Sequence, residues 1–192
     1  DELSKALGTA VFIENDVNTL GLAELWFGNA SSAKDSLVVT IGQGIGLCVM
    51  RDGKLLNIPA EFGHTQVSAN GRMCNCGNVG CLEALAGEQA LIDSVRQLHP
   101  ESKISSAEQV YALAKTDPQV HMILEQAAAE IGHGLANLIN LFKPRTVFLA
   151  GEGLLAGPAF TAQIQASALE RTHPLLRGTF NLEIDELAEV AW

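Results

Sequence analysis

The chain has 192 residues, of which 47% are hydrophobic and 18% are charged, and its formal net charge is −10 at pH 7. This size suits one large or two small packed domains. The negative charge argues against binding of nucleic acid or an anionic membrane through bulk electrostatics. No apolar run approaches the roughly 20 residues that span a bilayer, and no basic-then-apolar signal opens the sequence, so we expect a cytoplasmic protein.

The first segment predicts a strand followed by a helix. After a turn at Gly8, residues 10–14 favour a strand, and helical spacing of apolar residues follows Asp16. This strand has no partner yet in the sequence, so we expect a piece of a longer protein. Its carboxyl end carries Asn15 and Asp16, and open α/β sheets bind ligands at such ends. The alternative for an Asn-Asp pair is a turn or a helix cap.

The next part of the chain predicts an antiparallel meander and then an irregular loop. Residues 36–56 contain two β-rich runs around a glycine-rich turn, followed by the hairpin signal Asp52-Gly53. Residues 60–83 are polar and rich in glycine, with little periodicity of either kind. Something other than an apolar core must therefore order this loop.

Helices dominate the remainder. Residues 81–98, 106–117 and 119–142 have helical patterns, with Ser106 as a candidate N-cap and Pro144 ending the last helix. A buried strand then runs into a glycine turn, and a further helix and a closing strand follow over residues 146–155, 160–172 and 181–187. We expect the amphipathic helices to pack in the core, although they could face a partner.

The strongest chemical signal is a cluster of potential metal ligands: His64, Cys74, Cys76 and Cys81. Three thiolates and one imidazole complete a tetrahedral zinc site, and the interleaved glycines let the backbone bring close sulfurs to one ion. No open coordination position is implied, so the zinc would be structural. Ordinary buried cysteines are the alternative, as for Cys48, which lies alone in an apolar run.

The same residues carry a family resemblance. The string CNCGNVGCLE, preceded by EFGH, resembles the signature of the ROK family, which contains bacterial sugar kinases and sugar-responsive transcriptional repressors. ENDVN resembles the family's sugar-binding and catalytic segment, IGQGIG its second phosphate loop, and NLFKPRTVFLAGEGL its late glycine turn. The resemblance implies an α/β fold of the actin-like ATPase (ribonuclease H-like) type. Residues 1–30 would end an N-terminal lobe, and residues 31–192 would form the C-terminal lobe with its zinc loop at 60–83.

The resemblance also implies a set of sugar contacts. Asn15, Asp16, Glu61, His64 and Glu83 match positions that bind sugar hydroxyls, and Asp16 matches the general base of the kinases. Carboxylates and amides suit this task because a pyranose offers a ring of hydroxyls. His64 would ligate zinc through one ring nitrogen and face the sugar with the other, so zinc loss should weaken sugar binding.

The two nucleotide loops depart from the kinase pattern. Gln43 stands where kinases usually have a small hydroxyl residue, and Glu152 replaces a glycine with a negative charge. Both changes disfavour a phosphate group, so we expect that ATP does not bind. The glycines that remain of the two loops are Gly42, Gly44, Gly46, Gly151 and Gly153.

The segments AELWFG and EFGHTQV resemble the repressor branch, close to N-acetylglucosamine- and glucose-responsive regulators. We therefore expect a domain that senses a sugar or a sugar phosphate, in a homodimer that contacts DNA through an N-terminal domain outside this chain. One alternative is an ATP-dependent hexose or N-acetylhexosamine kinase with Asp16 as the base. Another is a module that binds a protein of the phosphotransferase system.

Overall fold

A mixed five-stranded sheet forms the centre of the protein. The strands are Ser36–Ile41 (β1), Ile45–Arg51 (β2), Lys54–Leu55 (β3), Thr146–Ala150 (β4) and Asn181–Ile184 (β5). The computed structural model describes residues 2–28, 34–56, 58 and 60–184. The strand order is β3-β2-β1-β4-β5, in which β1 to β3 are antiparallel and β4 and β5 run parallel to β1. The predicted meander and the predicted closing strand are thus confirmed.

Helices cover both faces of this sheet. Within the described residues none of them is long and apolar enough to cross a membrane. Their bounds are Glu2–Leu7 (α1), Asp16–Phe27 (α2), Leu82–Ala86 (α3), Glu88–Leu98 (α4), Ala107–Ala114 (α5), Pro118–Phe142 (α6) and Pro158–Arg171 (α7), with 3-10 turns at Phe62–His64, Glu152–Ala156 and Pro174–Leu176.

The alternation of β1 divides the core into two layers. Leu37 and Val39 are buried against the layer of helices α3 to α7, and Val38 is buried on the opposite face against α2. Both faces of a strand must be apolar when both are covered, which explains the near-continuous hydrophobic run. From α2, Val17 and Leu20 complete the smaller layer.

Helix α6 has clear signals at both ends. The Asp117 carboxylate accepts hydrogen bonds from the backbone N–H groups of Gln119 and Val120, which lack partners inside the helix. At the other end, Lys143 adopts a left-handed conformation with φ 49°, and Pro144 follows. The predicted end of this helix is confirmed, since proline cannot continue it.

Three local predictions were wrong or incomplete. Residues 10–14 do not form a strand and pair with none of the five strands of the described sheet. The helical stretch over residues 81–98 breaks at Gly87, where the Glu88 N–H leaves the helix pattern and donates to the carbonyl of Gly42, 3.0 Å away. Ser106 lies at the N-cap of α5, but its side chain makes no capping hydrogen bond.

Two predicted boundaries fall on residues outside the described part. The proposed division between lobes at residue 30 lies within residues 29–33, and the end of the closing strand lies beyond Ile184. Helix α2, from the N-terminal segment, packs directly on β1 and β2.

Candidate metal centre and adjoining polar cavity

The four predicted zinc ligands lie together. The ligand atoms of His64, Cys74, Cys76 and Cys81 are all within 4.8 Å of one another. His64 Nδ1 lies 3.4 Å from Cys74 Sγ, and the sulfurs of Cys76 and Cys81 are 3.6 Å apart. In a tetrahedral site with Zn–S bonds of about 2.3 Å, neighbouring ligand atoms are about 3.5 to 4 Å apart. The donor set and its spacing therefore fit a structural zinc site.

Backbone hydrogen bonds fold the loop around this cluster. The Val67 N–H donates to the Gly80 carbonyl at 2.9 Å, and the Cys74 N–H donates to the Asn78 carbonyl at 2.8 Å. Gly80 has φ +74°, and any Cβ there would collide with the Ser68 carbonyl oxygen. Only glycine fits this position, because it combines a left-handed backbone with a close approach of the main chain.

The thiols of the cluster differ in their tendency to ionise. Burial, together with the neighbouring sulfurs of Cys76 and Cys74, raises the pKa of Cys81 to about 12. The pKa of Cys76 is lowered, first of all by a hydrogen bond from the backbone N–H of Asn78. The thiolate is the metal-binding form, so a cation must displace the proton of Cys81 when it binds.

Residues 60–81, which carry the cluster, are called the metal loop. A polar cavity of 540 Å³ adjoins this loop at the carboxyl ends of β1 and β4. Its volume is typical of small-molecule sites, which span about 300 to 1,000 Å³. Among the described residues, carboxylates but no lysine or arginine line it. The carboxylates are those of Glu14, Asp16, Glu61, Glu83 and Glu152.

The start of α2 supplies one wall of the cavity. Asn15 caps the helix, because its Oδ1 accepts from the Val17 N–H at 3.1 Å. The Glu14 carboxylate accepts from Asn18 Nδ2 at 2.8 Å and from the Asn15 N–H at 2.9 Å. The Asn18 hydrogen bond is the main reason that the pKa of Glu14 is lowered. Asn15 is therefore both a helix cap and a cavity residue, so the two interpretations of its sequence are compatible.

Glu83 connects the cavity to the metal loop. It lies in the first turn of α3, two residues after Cys81, and its Oε2 accepts from the Ile45 N–H at 3.3 Å. The neighbouring Leu82 N–H donates to the Thr65 carbonyl at 3.0 Å. One short helix thus links the metal loop to the glycine-rich turn between β1 and β2.

Glu152 approaches that glycine-rich turn from the opposite side. Its Oε1 accepts from the Gln43 N–H at 3.3 Å, and a Cβ at Gly42 would collide with its carboxylate. A turn with exposed N–H groups can bind an anion. Here the anion that meets the turn is a side chain of the protein itself.

The cavity brings together most of the predicted sugar contacts. Asn15, Asp16, Glu61 and Glu83 line it. His64 does not belong to the lining; it lies in the 3-10 turn Phe62–His64, and its Nδ1 is in the cysteine cluster.

The predicted loop glycines divide in the same way. Gly42, Gly44, Gly46 and Gly151 line the cavity, whereas Gly153 is buried against β1. The sequence analysis did not single out Asn18 and Thr40, which also line it. The spacing of four residues between Glu14 and Asn18, which favours a side-chain pair on a helix, was the available signal for Asn18.

The mixed sheet with helices on both faces and a polar cavity at its carboxyl edge is an α/β domain of the actin-like ATPase type. The sequence profile of the ROK family matches residues 1–175, and the chain belongs to this family. The resemblance carried by the cysteine motif is confirmed.

Known members of two functional kinds are similar to the chain. It is 32% identical to a glucokinase of Thermotoga maritima over 100% of its own length and 66% of that protein. It is 28% identical to a xylose repressor of Caldicellulosiruptor bescii, covering 91% of the chain and 47% of the repressor. The structure of a ROK hexokinase from Thermus thermophilus matches with a TM-score of 0.86 and 31% identity, covering 99% of this chain and 66% of that one. The chain thus spans from about half to two thirds of these relatives.

Proposed function

We propose that this chain is the sugar-sensing part of a ROK-family transcriptional regulator. The observation that carries the proposal is the Glu152 carboxylate, which accepts from the Gln43 N–H in the glycine-rich turn. A nucleotide phosphate needs exposed N–H groups in such a turn and nearby positive charge. A carboxylate at this position occupies one of these N–H groups and adds negative charge. Under this proposal ATP is not a ligand, and phosphoryl transfer is not the function.

The cavity suits a neutral sugar better than a sugar phosphate. Carboxylates accept hydrogen bonds from hydroxyl groups, and asparagine can donate to hydroxyl oxygens. Asn15 is well placed for this, because its Oδ1 is engaged in the helix cap while its Nδ2 has no partner in the described part of the chain. A phosphate would meet several carboxylates and no cation among the described lining residues. The proposed effector is an unphosphorylated sugar.

Each of the predicted contacts has a role in this proposal. Asn15, Asp16, Glu61 and Glu83 bind sugar hydroxyls, and Asp16 does so without abstracting a proton. His64 joins the metal through Nδ1, which leaves Nε2 to approach the sugar from the metal loop. Metal binding would then affect sugar binding in two ways. His64 would contact both, and Glu83 would be positioned by the backbone that joins it to the metal ligand Cys81.

Zinc is the metal that this site would hold, through His64, Cys74, Cys76 and Cys81. Three thiolates and an imidazole are a usual structural zinc set, and the cluster leaves no ligand position for substrate. The metal would contribute folding free energy to the loop and no chemistry to a reaction.

The regulator proposal includes parts that lie outside this chain. Sugar binding would close the cavity against another lobe, and closure would change the spacing of two DNA-binding domains in a homodimer. A cytoplasmic location, the homodimer and a phosphotransferase-system partner remain predictions.

A sugar kinase is the second candidate, favoured by the 32% identity to a glucokinase over the whole chain. In that case Asp16 would accept the proton of a sugar hydroxyl. The oxygen of that hydroxyl would attack the γ-phosphorus of ATP, and ADP would leave. Asp16 lines the cavity as this step requires. The position of Glu152 is the feature that this alternative does not explain.

Titration calorimetry and a coupled assay for ADP release separate the two functions in the full-length protein. We expect saturable binding of glucose or N-acetylglucosamine, weaker binding of their 6-phosphates, no ATP binding and no ADP release. Glu152→Gly should permit ATP binding, whereas Glu152→Gln, which keeps the size, should permit less. Sugar-dependent ADP release that disappears in Asp16→Asn would overturn the regulator proposal. Tighter binding of the 6-phosphates would overturn the neutral-sugar assignment.

A further inference from the structure

A row of positive charges crosses the edge of the sheet opposite the cavity. Lys54 is the first residue of β3, Arg51 is the last of β2, Lys34 precedes β1 by two residues, and Arg145 directly precedes β4. Lys143, the C-cap of α6, lies beside them in sequence. We call these five residues the cationic edge. They are five of the twelve lysines and arginines of a chain that has 22 aspartates and glutamates.

The sheet itself sets the order of these residues. Arg51 and Lys54 are partners in the ladder between β2 and β3, and the Arg145 N–H donates to the Asp35 carbonyl at 2.8 Å. Neighbouring strands are about 4.8 Å apart, so the backbone positions from Lys54 to Arg145 span about 14 Å over three intervals. The hydrogen-bonded backbone therefore fixes the row of positions from which these charged side chains extend.

Most of these charges face water without a partner. Lys34, Lys54, Lys143 and Arg145 are exposed, and none of the four makes an ion pair within the part of the chain that the structure describes. Such unpaired cations are available to an external anion.

Arg51 is the one member of the row that is engaged. It donates to the Phe142 carbonyl at 2.9 Å and lies 3.7 Å from the Asp35 carboxylate. Asp35 also accepts from the Asp52 N–H. Among the described residues next to the row in sequence, Asp35 and Asp52 are the only carboxylates, so cations outnumber carboxylates in these segments.

We propose that the cationic edge binds the phosphate backbone of duplex DNA without reading its sequence. One strand of B-DNA carries a charge about every 3.4 Å along the axis, so a 14 Å row faces about four phosphates. The members of the row are all cations, which suits a polyanion better than a protein partner, because the core of a protein interface is largely apolar. The acidic remainder of the surface repels DNA and turns this edge toward it.

This inference extends the proposed regulator function, because it adds a contact to those expected from outside the chain. It also qualifies the argument from composition. A net charge of −10 excludes binding through the average surface, but it does not exclude a local row of cations.

The test is DNA binding by the full-length protein, measured by fluorescence anisotropy with a duplex of arbitrary sequence over about 50 to 200 mM salt. Each lost phosphate contact lowers the slope of log K against log[salt] by about 0.9. The variant K54A/R145A should therefore have a slope shallower by about 2 and bind roughly 60-fold more weakly at about 0.1 M salt.

The matched control is K103A/K115A, which removes the same charge from exposed positions in the helical layer. It should leave the slope unchanged. The inference would be overturned if both variants changed the salt slope equally, or if K54A/R145A left it unchanged. Binding of phosphatidylglycerol vesicles through this edge, without binding of DNA, would also overturn it. Both variants should keep the wild-type melting temperature and sugar affinity. If the protein bound no sugar but K54A/R145A still made the salt slope shallower, only the proposed sugar-sensing function would be overturned.

Discussion

The central sheet and the metal loop at residues 60–81 are ordered by different physical means. In the sheet, Val38, Val39 and Leu149 are completely buried. Over residues 61–80 only Phe62 and Cys74 bury their side chains, and Met73 is 70% exposed. Burial of apolar surface stabilises the sheet, whereas the loop has too little of it to offset the entropy of ordering its backbone.

This difference implies that the loop can lose its ordered structure while the sheet stays folded. A metal bound by the four candidate ligands would hold together the ends and the middle of the loop, since His64 and Cys81 lie near its limits and Cys74 and Cys76 lie between them. Metal loss should disorder the loop and leave the sheet. Damage to the sheet core should unfold both regions, because Phe62 at the start of the loop and Leu82 just after its end are buried in the same core.

The largest effect is expected from Cys76→Ser. Structural zinc contributes on the order of 10 kcal/mol to small zinc-dependent folds. We expect zinc content to fall well below one ion per chain. Amide hydrogen exchange should rise sharply over residues 60–81 but not over residues 36–50, with the exception of the Ile45 amide, which donates to Glu83. Elemental analysis and exchange mass spectrometry measure both. Loss of sugar response should precede loss of solubility.

Cys48→Ala is the matched control, because Cys48 is buried in the sheet and lies outside the cluster. It should retain zinc. Zinc content of the unaltered protein should also fall as pH falls, since protons compete with the metal for thiolates and the pKa of Cys81 is raised to about 12. A wild-type protein with no zinc and freely titratable cysteines would contradict the metal assignment.

A smaller but global effect is expected from Leu149→Ala at the centre of β4. Removing a fully buried leucine side chain costs about 2 to 5 kcal/mol, through lost burial and the cavity left behind. Chemical denaturation should show this loss with unchanged zinc content in the folded protein. Leu141→Ala is the control, because Leu141 is 76% exposed and should change stability little. Similar losses in both variants would argue against two separately ordered regions.

The sequence was sufficient to predict those features that depend on neighbouring residues or on runs of apolar residues. The β-rich run of β1 and the proline-terminated end of α6 were both predicted, and the metal ligands followed from residue type and spacing alone. The strand predicted at residues 10–14 was wrong because a strand requires a partner, which propensity does not supply.

Features that depend on distant parts of the chain could not be predicted. The helix break at Gly87 depends on the carbonyl of Gly42, which is far away in sequence. The departure of Glu152 from the family pattern was visible, but its hydrogen bond to Gln43 was not. The cationic edge likewise emerges only once the strand order places residues 34, 51, 54 and 145 side by side.

The smallest expected effect concerns Glu83, which lies in α3 just after the metal loop and whose carboxylate contacts the backbone of β2. Glu83→Gln removes the charge but keeps the size of the side chain that accepts from the Ile45 N–H. Hydrogen bonds to charged groups are worth about 1.5 to 3 kcal/mol, and glutamine retains part of this, so we expect about tenfold weaker sugar binding with unchanged zinc content. Titration calorimetry checks the affinity.

Glu88→Gln is a close control for Glu83→Gln, because Glu88 also lies in the first turn of a helix and accepts from a backbone N–H, that of Ala107, but does not line the cavity. Its sugar affinity should stay normal. In the wild type, chelation of the metal should speed exchange of the Ile45 amide; in Glu83→Gln that amide should exchange faster from the start and ignore the chelator. If chelation changed the exchange rate of the Ile45 amide equally in both proteins, the effect of metal removal would not pass through the Glu83 carboxylate, and this prediction would be wrong.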